Sequence, residues 1–202
     1  WVNPDNGINE GNIIGDINNP FLTIDYAMSM IYPTEENPIT INLTAGTFSP
    51  PIEVFPINMI SNISLSGAGE EMTILDAEGT SIHIALVVKI EHSYNIQISN
   101  LNITKGYNLP PGSQPSVGGG VNIITSHSVE LTNLIVNRNY GYYGVGIFID
   151  NSNVIINNSE VSLNTSPYHC GGMAMHHSNV ILNNVIISGN IGSYEHCGGA
   201  CV

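Results

Sequence analysis

The chain has 202 residues, enough for one domain with a substantial core. Its 16 acidic residues face only 3 basic ones, a formal net charge of -13, so no surface can neutralise a row of phosphates and nucleic acid is excluded as a partner. No run of about 18 apolar residues occurs, so no membrane-spanning helix is expected. The same charge repels polyanionic carbohydrate and attracts cations, calcium first, and it also keeps a large β surface soluble. The chain opens at Trp1 rather than Met, as a processed product or a fragment does.

Residues 3–11 come first. Asp5, Asn6, Asn9 and Glu10 place hard oxygen donors on a glycine-punctuated loop without EF-hand spacing, either a calcium site or a plain turn cluster. Residues 19–31 predict a short helix whose apolar face is Phe21, Ile24, Tyr26, Ala27 and Ile31, stopped by Pro33. Such a helix would cover the open end of whatever follows, protecting an edge that otherwise invites pairing. We therefore divide the chain into a loop and capping helix over 1–34 and a repeat region over 35–202.

The repeat is set by asparagines. Asn100, Asn133, Asn158 and Asn184 lie at intervals of 33, 25 and 26 residues. Two residues before them stand Ile98, Leu131, Ile156 and Leu182; three after stand Ile103, Val136, Val161 and Ile187. A second polar column reads Gly106, Asn139, Asn164 and Asn190, and glycine pairs recur at 119–120, 144–146, 171–172 and 198–199. The long interval holds a Pro/Gly-rich insertion at 108–117. Residues 62–67 and 39–43 are weaker, earlier copies. Short β-branched runs with a period of about 25 residues fit three strands and three turns, one coil of a parallel β-helix whose coils stack at about 4.8 Å. Asparagine at a turn takes the left-handed conformation at low cost, and its amide can bond along the stack as a ladder. The glycine pairs are expected to supply backbone angles that other residues resist.

Further along, Tyr140, Tyr142 and Tyr143 are read either as a platform for sugar rings or as a cover for a coil exterior. His169-Cys170 recurs as His196-Cys197, 27 residues on, so equivalent atoms lie about one strand spacing apart. Three readings stay open: a Cys170–Cys197 disulfide, a stacked pair of free cysteines, or a transition-metal site from His169, Cys170, His196 and Cys197. Cys201 is the odd thiol, stacked over Ala174. Sequons at Asn42, Asn62, Asn102, Asn157 and Asn164 matter only if the source glycosylates. The sequence stops at Val202, inside a new coil, so a continuing chain or a second subunit is expected to meet that edge.

Residues 19–24 leading to 39–48, then 63–69 and 73–76, resemble the opening coils of pectate-lyase-like right-handed parallel β-helix proteins. The Gly-Gly coils with Asn164 and Asn190 resemble those of large secreted bacterial surface proteins and polymorphic outer-membrane proteins. The resemblance implies an all-β, single-stranded right-handed parallel β-helix with a short N-terminal capping helix. That fold hosts lyases, hydrolases, esterases, adhesins and fibres, so it does not fix an activity. The motifs of its enzymes do not map here. Arg138 stands alone, and Glu130, Asp150, Glu160 and Glu195 fall in different columns, whereas glycosidases need paired carboxylates. The expectation is a secreted, non-catalytic structural or adhesive surface module that meets cell-surface glycans or builds filaments. The alternative is a carbohydrate-active enzyme with an incomplete site.

Overall fold

The computed structural model describes residues 1–11, 15–109, 117–193 and 198–202. One short helix, Ile24–Ser29, precedes strands whose named pairings are all parallel and link successive coils. On the first face Ile39 pairs with Ile63, Leu65 with Ile98, Leu131 with Ile98 and Ile156, and Ile156 with Leu182. The second face pairs Phe48 with Leu75, Leu75 with Ile103, Ile103 with Val136, Val136 with Val161 and Val161 with Ile187. A third face forms a 6-stranded sheet in which Ile57, Val88, Val121, Ile147, Met173 and Ala200 stand in register. Each coil visits the three faces in that order, and the chain is a right-handed parallel β-helix.

The alternation within each strand sends one residue in and the next out. Ile96, Ile98, Leu101 and Ile103 are fully buried, as are their stacked counterparts Leu131, Val136, Ile156 and Val161. Each such side chain contributes about 1.5–3 kcal/mol, and none could be covered by its own coil alone.

Asn100, Asn133, Asn158 and Asn184 occupy the turn between the first two faces with φ of 59, 53, 48 and 54°, the left-handed region. Asn133 Nδ2 donates to Asn100 Oδ1 at 2.9 Å, and Asn184 Nδ2 to Asn158 Oδ1 at 3.0 Å. The second polar column is the more deeply buried. Asn164, with no exposed surface, accepts at Oδ1 from the Asn139 backbone N–H (3.0 Å) and Nδ2 (2.9 Å). Its own Nδ2 donates to the Val136 carbonyl and to Asn190 Oδ1, each at 3.0 Å. Among the repeated glycines Gly144 takes the expected left-handed angle, with φ of 56°, but three others act differently. Gly120, Gly146 and Gly172 are needed for proximity: a Cβ would meet the carbonyl oxygen of the next coil at 2.6, 2.6 and 2.3 Å, and the amide nitrogens of Asn139, Asn164 and Asn190 at 2.8, 2.8 and 3.0 Å. Glycine on one side makes room for the buried asparagine on the other.

A ladder missing from the sequence reading runs along the turn before the first face. Ser126 Oγ accepts from the Ser93 N–H at 3.2 Å, Ser152 Oγ from Ser126 and Ser178 Oγ from Ser152, both at 3.0 Å. Each of these hydroxyls donates back to a carbonyl two residues earlier.

The helix is shorter than the expected 19–31. Phe21 is held in a bridge to Val2, and Thr23, in extended conformation, caps the helix by accepting from Tyr26 N–H at 3.2 Å. Ile24 and Ala27 join the same core cluster as Ile41, Phe48 and Ile57 of the first coil. Glu53, nearly buried, accepts from the Ile24 N–H at 2.7 Å.

Candidate functional site

Two outer surfaces carry chemically capable side chains. The outer columns of the third face read Asn58, Lys89, Asn122, Phe148, Ala174, Cys201 and, beside them, Glu91, Ile124, Asp150, His176. Towards the C-terminal coils this face fills itself in. Phe148, Cys170 and Ala174 form a small second core with Tyr143, Ile124 and Val117 packed against it. Tyr143 lies across Phe148 (ring centroids 6.0 Å) and is hydrogen-bonded through its hydroxyl to His176 Nε2 at 2.8 Å. His177 projects into solvent, its Nδ1 3.3 Å from Asp150 Oδ1.

Cys170 is joined to Cys201, with 6.4 Å between their Cα atoms. This replaces all three readings of Cys170 left open by the sequence: a bond to Cys197, a free thiol stacked on it, and a metal ligand. The physical reason is the register. Cys201 stands over Ala174 on the outer column, and the turn carrying Cys170 folds back across that column. A disulfide sulfur is not a thiolate ligand. His196 and Cys197 lie outside the described residues, as does Glu195. His169 packs its ring edge-on against Tyr142 at 4.8 Å and Tyr143 at 5.2 Å.

The tyrosines cover coil exteriors. Tyr140 stacks on Tyr107 (4.8 Å) and Tyr142 on Tyr168 (5.0 Å). Burial pushes the Tyr140 phenol above its ordinary pKa, with the neighbouring phenols Tyr107 and Tyr168 adding to the shift.

The loop with the expected calcium donors is tied into the fold instead. Asn9 Oδ1 accepts from the Leu22 and Thr23 N–H groups at 2.9 and 3.3 Å, and its Nδ2 donates to Thr23 Oγ1 at 2.8 Å. Its amide pins the helix entrance, so Asn9 is corrected from ligand to structural staple. The Asp5 and Asn6 N–H groups donate to Asn3 Oδ1 at 2.9 and 3.0 Å, closing a turn, while Glu10 lies at the surface. Among the described residues no group of three or more His, Cys, Asp or Glu converges on a point. Two sequons also change meaning. Asn164 is wholly buried, and Asn62 is nearly so while accepting from Asn95 Nδ2 at 3.1 Å, so neither can carry a glycan in the folded chain. Asn42, Asn102 and Asn157 are half-buried.

No protein-family model matches the chain, and no curated protein matches it. Among solved structures it is similar to a pectin methylesterase in complex with a hexasaccharide: TM-score 0.45, 13% identity, covering 84% of this chain and 65% of that one. The chain thus spans slightly less than two thirds of that structure's length. The likeness is one of fold.

The second outer surface lies on the first face. A groove of about 420 Å³ runs across successive coils, lined among others by Asn95, Gln97, Glu130, Asn153, Ile155 and Ile181. Gln97, Glu130, Ile155 and Ile181 share one register position on four coils. Asn157 Nδ2 steadies Glu130 by donating to its Oε1 at 2.9 Å. Neither this groove nor the Tyr143–His176 contact was foreseen. The signal was there, since the register that places Asn100 over Asn133 also places Gln97 beside Glu130.

The carboxylates expected in different columns stand apart. Glu130 is on the first face, Glu160 pairs with Ile186 on the second, and Asp150 is on the third. Arg138 is exposed in a turn with φ of 52°.

Proposed function

We propose that the chain is a non-catalytic, extracellular structural or adhesive β-helix module of a surface or filament-forming protein. One observation carries this reading: the polar side chains of the coils are engaged lengthwise, in asparagine and serine ladders, and Glu130, Asp150 and Glu160 stand on three different faces. Acid–base hydrolysis of a glycosidic bond needs two carboxyl groups about 5–10 Å apart on one surface; Glu91 and Asp150 share an outer column of the third face two coils apart, but Glu91 is ion-paired with Lys89 at 2.8 Å. The C-terminal part of the third face is filled by Tyr143, Phe148 and the Cys170–Cys201 bridge.

The disulfide supports a secreted location, since such bonds persist in oxidising compartments. The last coil supports association with a further coil, from a continuing chain or a second copy. Val180, Val185 and Ile187 are only partly covered and Leu182 and Ile186 are exposed, an edge that another coil would bury. Calcium, if bound, would be drawn by the net charge rather than by the loop at 3–11. The test is incubation of the purified chain with a panel of polysaccharides, assayed for new reducing ends, unsaturated products and released methanol. None is expected. Turnover of any of them would replace this reading with that of a carbohydrate-active enzyme.

A further inference from the structure

We infer that the groove on the first face is the adhesive surface and that it takes a polysaccharide bearing protonated amino groups. The inference rests on the adhesive reading above and names its ligand.

The groove combines features that suit a sugar chain. Ile155 and Ile181, 39% and 54% exposed on adjacent coils, form an apolar strip of the kind that packs against the C–H faces of sugar rings. Gln97 is exposed and its side chain makes no hydrogen bond to the described residues, leaving an amide to meet hydroxyls. Asn153 accepts at Oδ1 from Asn179 Nδ2 at 3.0 Å, so the amide row bordering the strip is already oriented along the coils. Such a site is prepared before a ligand arrives, which lowers the ordering cost of binding.

Charge selects the ligand. No lysine or arginine lines the groove, and its one ionisable side chain is Glu130. Glu130 Oε1 accepts from Asn157 and Thr132, at 2.9 and 3.3 Å, which fixes the carboxylate, while Oε2 makes no hydrogen bond to the described residues. A fixed carboxylate with an open oxygen, on a chain of net charge -13, favours an ammonium and repels uronates. The apolar strip and the free amide beside it favour a sugar polymer over a simple cation.

The experiment is calorimetric titration of the purified chain with a soluble glucosamine oligomer, set beside glucose and galacturonate oligomers and a basic peptide, at low and high salt. The glucosamine oligomer is expected to bind at least about tenfold more tightly than the other three and to weaken with salt. Glu130→Gln is expected to lose about tenfold in affinity. Ile181→Lys, at a site already open to solvent, is expected to lose at least as much with the urea midpoint unchanged, so the test survives if Glu130→Gln fails to fold. No glucosamine binding, equal binding of any of the other probes, or binding indifferent to both substitutions would overturn the inference. Cleavage assays on the same mixtures separate the two readings: binding with turnover removes only the non-catalytic reading, and absence of both removes only this one.

Discussion

Asn164→Ala probes the buried ladder most directly. The substitution removes two hydrogen bonds that Asn164 accepts from Asn139 and two that it donates, to the Val136 carbonyl and Asn190 Oδ1. The Asn139 N–H is then left buried without a partner, which costs about 1–3 kcal/mol. The remaining losses fall on groups that keep other partners, at roughly 0.5–1 kcal/mol each, so the total is about 3–5 kcal/mol. Domains of this kind are stable by about 5–15 kcal/mol, so the loss is easily measured. The control is Asn184→Gly. That residue is exposed, makes one ladder bond to Asn158 and has a left-handed φ that glycine accepts, so a cost of about 0.5 kcal/mol is expected. Urea denaturation followed by circular dichroism gives both values. Hydrogen exchange should place the Asn164→Ala loss in the coils that contain Asn139, Asn164 and Asn190, because stacked coils are coupled mainly to their neighbours. A cost below about 1 kcal/mol for Asn164→Ala, or one no larger than that of Asn184→Gly, would refute the claim that buried amides hold the coils in register.

Cys201→Ser opens a loop whose ends are 31 residues apart and is expected to cost about 3–4 kcal/mol by chain entropy, less if the last coil frays independently; peptide mapping without reductant should find Cys170 linked to Cys201. Glu53 has its carboxyl raised above 4.5, chiefly by burial and against the pull of three backbone N–H donors. The folded chain therefore binds this proton more tightly than the unfolded chain. The resulting stabilisation is complete below the unfolded value and is lost as pH rises through the folded one. Glu53→Gln should flatten that part of a Tm-versus-pH curve above 4.5, and an unchanged slope would count against it. Tyr143→Phe removes the hydroxyl contact to His176 and should cost about 0.5–1.5 kcal/mol while leaving the Phe148 contact intact, as read by urea denaturation. Expressed in a glycosylating host, the chain should carry no glycan at Asn62 or Asn164; glycopeptide mass spectrometry decides this.

How far the sequence could be read follows from what its period encodes. The interval between equivalent residues fixes which side chains stack, so the columns through Asn100, Ile98 and Ile103 are legible in the sequence alone. The serine ladder obeys the same rule at 33, 26 and 26 residues and was equally legible; it escaped because serine is common in this chain and marks no turn by itself. The disulfide was not legible. Period places Cys170 and Cys197 in equivalent positions, but pairing depends on how the 166–171 turn crosses the outside of the sheet. That path follows from local bonds such as Ser166 Oγ accepting from the His169 N–H at 2.9 Å. The calcium donors failed similarly. Composition showed that Asn9 has an oxygen to offer, and only the fold shows that Leu22 and Thr23 had already taken it. Stacking relations are thus written in the period, whereas contacts that cross from a turn onto a face are written in turn geometry. The first-face groove lies wholly within the first class, with Gln97, Glu130, Ile155 and Ile181 on one register line. Moving any one of them by a single position would turn it to the core, so the groove and the ladder beside it are held by the same constraint.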